Sequence, residues 1–362
     1  MKWWIFLFSI SIIFSGCAKG SEEVNMEDIR KPAVAGSWYP GDKDSLTSMI
    51  KTFMDEASVD KIDGRIFGLI APHAGYVYSG PVAAYSFKAL MQNADEYRGN
   101  TVILIGFAHR PPNWGGISVW AKGAWETPLG KTKVNEELAQ KIIDYAPQMI
   151  QYRKDVHTGE HSLEIELPFL QYALNNDFTL VPIAFSHQTG AEIETLTNAL
   201  LSANIDWSKT ILVVSTDMSH YLPYDRAVAT DQKTLEFVLA DDVNGLIGYL
   251  QSGVGAFCGW AGVLTAMTVM PKVGASKIKL LKYANSGDTQ PSTASHGVVG
   301  YCAVAFIEGN GDAENSSSGS DSADKSKTEE AVPGTDEYSL TKEQKLYLLK
   351  LARRTIEELV QN

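Results

Sequence analysis

Four apolar runs without polar alternation punctuate the chain, and each leads within a few residues to a histidine. Phe67 to Ile70 precedes His73, Val102 to Phe107 precedes His109, Leu180 to Phe185 precedes His187, and Ile211 to Val214 precedes Asp217 and His220. Short runs of Val, Ile and Leu of this kind predict strands buried on both faces of a sheet. Strands are expected near residues 65–71, 101–107, 179–185, 210–216, 277–284 and 297–307. Helical patterns lie between them, at Pro81 to Met91, Val134 to Tyr145, Ala191 to Ser202 and Asp231 to Leu250. This alternation predicts an α/β fold, a three-layer α/β/α arrangement around a mostly parallel or mixed central sheet. In open α/β sheets the ligand site lies beyond the carboxyl ends of the strands. Four of the seven histidines therefore fall where such a fold places its chemistry. His187 is the weakest of them, since Ser186-His-Gln-Thr-Gly190 reads as an ordinary turn.

Composition narrows the function classes. With 362 residues, 44% of them hydrophobic, the chain can bury a sizeable core. The net charge of −12 argues against a nucleic-acid partner. Half of that charge is local, because Asp312 to Glu337 holds eight acidic residues against Lys325 and Lys327. Residues 309–337, rich in Gly, Ser, Asp and Glu, are expected to be a solvated linker. Beyond it, residues 338–362 predict one amphipathic helix, with a capping box at Thr341 to Gln344 and a stripe through Leu346, Leu349, Ala352, Ile356 and Leu359. An isolated helix of this length is marginal in water, so weak attachment to the core is expected.

The amino terminus carries an address. Lys2 precedes an apolar run from Trp3 to Phe14, too short to span a bilayer but suited to a signal peptide, and Ser15-Gly16-Cys17 follows. Small residues followed at once by Cys resemble the lipobox of bacterial lipoproteins. Residues 1–17 are then a lipoprotein signal peptide, with Cys17 lipidated, and 18–29 a polar tether to a membrane surface. Residues 30–308 remain as one α/β domain. An exported compartment permits a disulfide between Cys258 and Cys302, yet none is expected. Cys302 belongs to a core strand, and Cys258 opens a loop entering a helix, where a lowered thiol pKa would favour metal binding.

His73, His109 and Cys258 supply two imidazoles and one soft thiolate, a set suited to Fe(II), Cu or Zn. Asp217 stands three residues before His220, close enough to orient its ring in a helical turn, which makes His220 a candidate general base. His161, with Glu160 and Glu164, either supports a metal from behind or caps a helix beginning at Ser162. The chain has no phosphate loop with its lysine and no G-x-S-x-G elbow.

Five separated motifs, Ala33-Val-Ala-Gly-Ser-Trp-Tyr-Pro40, Ala71-Pro-His-Ala-Gly-Tyr-Val-Tyr-Ser-Gly80, Glu160-His-Ser-Leu-Glu-Ile-Glu-Leu-Pro-Phe-Leu170, Ser215-Thr-Asp-Met-Ser-His220 and Phe257-Cys-Gly-Trp260, resemble in order those of the Memo family, known in prokaryotes as AmmeMemoRadiSam system protein B. The resemblance implies a fold similar to class III extradiol dioxygenases, which use non-haem Fe(II). It matches His73, His109 and Cys258 to metal-binding positions, and Asp217 and His220 to catalytic pocket positions. Tyr76, His161 and Glu164 fall around the same pocket. The dioxygenases carry a carboxylate where this chain has Cys258, which counts against ring cleavage. The stretch from Tyr338 to Glu357 resembles the opening helix of an AMMECR-type domain, system protein A. Together these imply a metal-dependent oxidoreductase using a divalent metal, Fe(II) first, with Cu or Zn as alternatives. They also imply a radical-SAM protein and an AMMECR-type protein as partners. A non-catalytic metal-binding scaffold and a metal-assisted hydrolase are the other readings.

Overall fold

The computed structural model describes residues 28–112, 114–292 and 297–309. The leader, Cys17, most of the tether, the acidic linker and the tail helix expected from the sequence lie outside the described residues. Eleven strands are described: β1 (Ile29–Arg30), β2 (Ile66–Ala71), β3 (Asn100–Phe107), β4 (Ile117–Val119), β5 (Ala124–Thr127), β6 (Gly130–Lys133), β7 (Ile150–Gln151), β8 (Phe178–Phe185), β9 (Thr210–Ser215), β10 (Ala275–Asn285) and β11 (Gly300–Glu308). Eight form one mixed sheet in the order β10-β11-β2-β9-β3-β8-β4-β7, and β1-β5-β6 form a small second sheet.

The four apolar runs are the four central strands. β2, β9, β3 and β8 pair in parallel, so their carboxyl ends open on one edge of the sheet. Every residue of β2 and β9 is buried, which is why their sequences show no alternation. Two close contacts show the faces being covered. A Cβ at Gly262, on the helix Trp260–Val273, would stand 3.2 Å from Ile105, whereas one at the next strand residue, Gly106, would stand 2.8 Å from Ser162. Successive strand residues point to opposite faces, so that helix covers one side and the 160–173 segment the other. The α/β class and the layered arrangement are those the sequence predicts.

Two helices differ from expectation. The helix expected from Pro81 begins at Tyr76, with the proline inside it. Pro81 has no N–H, and the Val77 carbonyl it leaves free accepts from Gln290 Nε2 at 3.1 Å. The helix expected over Asp231 to Leu250 is two, Tyr224–Leu239 and Val243–Gln251. Asp241 breaks them in a left-handed conformation (φ 52°), and Asp242 caps the second through Gly245 N–H at 2.8 Å. The long edge strand β10 carries Lys277, Lys279 and Lys282 and two register shifts, features that discourage edge-to-edge pairing.

One buried histidine ties the fold to pH. His157 is fully buried; Nε2 meets Ser118 Oγ at 3.0 Å and Nδ1 has no partner among the described residues. Burial, with the charge of Arg30 as a lesser cause, lowers its pKa from 6.5 to about 3. The unfolded chain then binds a proton that the folded chain refuses, so stability falls as pH drops through 6.5 and levels near 3. The full displacement corresponds to about 5 kcal/mol. His157→Gln should flatten the acid limb by one proton's slope, about 1.4 kcal/mol per pH unit, in urea unfolding between pH 4 and 6.5. Parallel profiles for the two proteins would remove His157 from this role.

Candidate metal centre

Three adjacent central strands deliver the site. β2 ends before His73, β3 before His109, and β9 runs into Asp217 and His220. β8 lies one strand further out, and the exposed His187 after it is not among the cavity-lining residues. His161 arrives from another direction, on the segment that crosses the end of β3, where Ser162 Oγ donates to the Phe107 carbonyl at 2.8 Å.

Each ring is held from behind. His73 N–H donates to Asp217 Oδ1 at 2.7 Å, and His73 Nδ1 lies 2.9 Å from Ser215 Oγ. That hydroxyl also lies 2.5 Å from the Ser162 carbonyl and 3.0 Å from Glu166 Oε1. A hydroxyl has one proton and two lone pairs. With the proton given to the carbonyl, Ser215 accepts from His73 Nδ1–H. Glu166 is fully buried, and burial pushes its carboxyl well above the usual range. His73 Nε2 is thereby left as a lone pair.

His109 is fixed similarly: Nδ1 lies 2.9 Å from Glu160 Oε1, and its backbone N–H donates to Oε2 at 2.6 Å. Burial would raise Glu160, but the hydrogen bond from His109, the neighbouring His109 and His161 rings and the Ser162 N–H outweigh it and hold the carboxyl at about 2. His161 stacks on His109 (ring centres 4.1 Å apart, 29°) and lies against Trp38 at 4.1 Å. Burial first, and His109 second, lower His161 to about 4, while burial keeps His73 neutral as well. Neutral imidazoles backed by a carboxylate or hydroxyl are the form in which histidines ligate metals.

One ligand atom each from His73, His109 and His161 lies within 4.8 Å of the other two. Nitrogen ligands on one tetrahedral ion stand about 3.3 Å apart, so modest side-chain rotation brings the three onto it. The residues fit a divalent metal. The trio differs from the set expected from the sequence, because His161 takes a place assigned to a supporting role and Cys258 stands outside it. Cys258 Sγ is nevertheless 3.2 Å from His73 Nε2 and accepts from Asp217 N–H at 3.1 Å. Its thiol is not the lowered one expected. Cys258 precedes the helix cap Gly259, and burial followed by the Asp217 charge pushes the thiol up. Cys258 and Cys302 are both free, the latter buried in β11.

Asp217 does not orient His220. Residues 216–220 are not helical, and His220 Nδ1 meets the Met218 carbonyl at 2.8 Å, which leaves Nε2 as an acceptor at the cavity. Burial raises Asp217 to about 7 against the pull of the His73 and Ala74 N–H groups. Tyr76 and Glu164 lie beneath the site: Tyr76 OH donates to the Ile165 carbonyl at 2.8 Å, and Glu164 anchors the 30–39 segment. Trp38, Ser215 and Glu166 were present in the motifs, but no periodicity assigns them a role. The site opens into a cavity of about 900 Å³.

A layered α/β protein in which two histidines at the carboxyl ends of parallel strands meet a third from a crossing segment is a candidate metalloprotein. A Memo-like protein family profile matches residues 30–305, and the chain belongs to that family. It is 36% identical over 292 residues to a MEMO1 family protein of Saccharolobus solfataricus, covering 76% of this chain and 99% of that protein. Over 276 residues it is 35% identical to a MEMO1 family protein of Thermoplasma volcanium, covering 76% of this chain and 97% of the relative. Among solved structures, an uncharacterized protein of Escherichia coli K12 aligns with 15% identity and a TM-score of 0.42, covering 67% of this chain and all of that one.

Proposed function

We propose that the protein is a metal-dependent oxidoreductase that binds Fe(II) through His73, His109 and His161, with Cys258 beside His73. The observation that carries the reading is the trio itself: three imidazoles with lone pairs converging at the mouth of a cavity. Nitrogen and sulfur donors favour Fe, Cu or Zn over Mg or Ca. Iron, when bound, supplies the electrons for oxygen chemistry. Glu160 and the Ser215–Glu166 pair keep the rings aimed, and His220 Nε2 is placed to take a proton from a molecule in the cavity. A metal-assisted hydrolase is the second reading, favoured by the three-histidine donor set, which also serves catalytic zinc.

Export and anchoring through Cys17, and work beside a radical-SAM protein and an AMMECR-type protein, complete the proposal. The apolar leader and the motifs of the family support them. Protein purified without oxygen should contain close to one iron per chain and consume O₂ when given a reducing organic substrate. Zinc as the resident metal, with ester or amide hydrolysis and no O₂ uptake, would replace this reading by the second. Metal without turnover of either kind would leave a scaffold.

A further inference from the structure

A second cavity, of about 410 Å³, lies at the other end of the sheet. Its charged lining is Lys61 and Asp63 ahead of β2, Lys277 and Lys279 on the edge strand β10, and Glu308 at the end of β11. It shares no lining residue with the cavity of the histidines. Its own charges leave lysines over. Glu308 turns Oε2 to the Arg65 N–H at 3.3 Å, and Lys279 reaches the exposed Asp60 at 3.9 Å. Lys61 and Lys277 are exposed and make no ion pair among the described residues.

The chain leaves the domain through this groove. Gly309, the last described residue, belongs to its wall and packs so closely on β10 that a Cβ there would stand 2.0 Å from Ser276 Oγ. Ala275 pairs with Glu308 and Lys277 with Ile307, so the exit is beside Lys277. Asp312 and Glu314 come three and five residues after Gly309, and Asp321 and Asp324 precede the first lysine, Lys325. At about 3.3–3.6 Å per residue, Asp312 can reach about 10 Å from Gly309 and Glu314 about 17 Å. Residues 310–324 are otherwise Asn, Gly, Ala and Ser, a composition that strands disfavour and that has little apolar surface to bury. Charge is what such a segment can be recognised by.

We propose that this groove docks the acidic segment 310–324 of the same chain, with Asp312 and Glu314 set against Lys277 and Lys61. The covalent link favours this occupant over a separate acidic partner, because a short flexible tether holds the segment at an effective concentration in the millimolar range. Each exposed ion pair contributes little alone, so the contact depends on several pairs together and is released by salt. Docking covers Lys277 on the open edge of β10. It also starts the span toward residues 338–362 from the end of the sheet opposite the histidines.

The test uses the full chain and a carbodiimide, which joins a carboxylate to an amine only where the two touch. At about 0.02 M salt, links from Lys277 or Lys61 to Asp312 or Glu314 are expected to dominate those made by the segment, and to fall about fivefold or more at about 1 M salt. Links that are absent, or that reach the exposed Lys43 as often as Lys277, would overturn the proposal. Links between chains in a mixture of isotopically light and heavy protein would overturn it too, by making a second copy the partner. Mere proximity is separated from contact by lysine reactivity. Asp312→Asn combined with Glu314→Gln should raise the acetylation rates of Lys61 and Lys277 about two- to threefold at low salt and leave Lys43 unchanged. Both positions follow the last strand, so the thermal midpoint should hold. Unchanged rates at Lys61 and Lys277 would sink the contact.

Discussion

Glu164→Ala should destabilise the protein by about 3–5 kcal/mol, on the order of a 10 °C fall in thermal midpoint. The carboxylate is fully buried and is the meeting point of the 30–39 segment with the site. It takes the Arg30 guanidinium, the backbone N–H groups of Ala33 at 2.7 Å and Val34 at 3.0 Å, and Tyr39 OH at 2.7 Å. Removing it strands a buried guanidinium, which otherwise reaches, among the described residues, the Glu160 and His157 carbonyls and the face of Trp125, 4.6 Å away. The loss also reaches the site, because the freed segment carries Trp38, whose ring packs on His161. Urea unfolding gives the energy, and tryptophan fluorescence reports the displaced indole. Arg30→Met combined with Glu164→Gln should be less damaging than Glu164→Ala alone, since no buried charge is then left unpaired. A cost below about 1 kcal/mol for Glu164→Ala would show that the segment is held by its apolar contacts instead.

What the sequence shows about this fold follows from what burial writes into it. Strands buried on both faces must be apolar throughout, so β2, β3, β8 and β9 stand out, and with them His73 and His109 at their ends. Short strands such as β1 and β7, two residues each, leave too little pattern to read. Strand order is also silent in a single sequence. His187 follows a strand as apolar as the others and is excluded only because β8 lies outside the β2-β9-β3 group. His161 is harder to read for the opposite reason: no strand precedes it, and it lies between two glutamates that read equally well as helix caps. Those glutamates divide the work, Glu160 holding His109 and Glu164 holding Arg30, across 51 and 134 residues of sequence. The Ser215–Glu166 pair behind His73 lies deeper still. Nothing in a glutamate's neighbours along the chain announces that it is buried behind a histidine ring.

His161→Ala should cost more metal affinity than Cys258→Ser, and the comparison decides which set of ligands the protein uses. An ion held by several ligands with about 10–16 kcal/mol in all loses about 3 kcal/mol with one of them, a factor of about 10² in affinity. His161 belongs to the trio whose ligand atoms lie within 4.8 Å, so its removal should have that full effect. Cys258 Sγ touches His73 Nε2 at 3.2 Å without belonging to the trio. Its thiol, pushed up by burial and by Asp217, gives up its proton reluctantly, so Cys258→Ser should weaken binding by about tenfold or less. Co(II) serves as the probe, because a thiolate ligand adds an intense charge-transfer band near the ultraviolet that imidazoles lack. Full affinity loss in His161→Ala, with little change and no such band lost in Cys258→Ser, is the expected result. The opposite order, a strong band abolished by Cys258→Ser and only slight loss in His161→Ala, would mean that the ion draws the thiol into its shell and turns His161 into a stacking neighbour of His109.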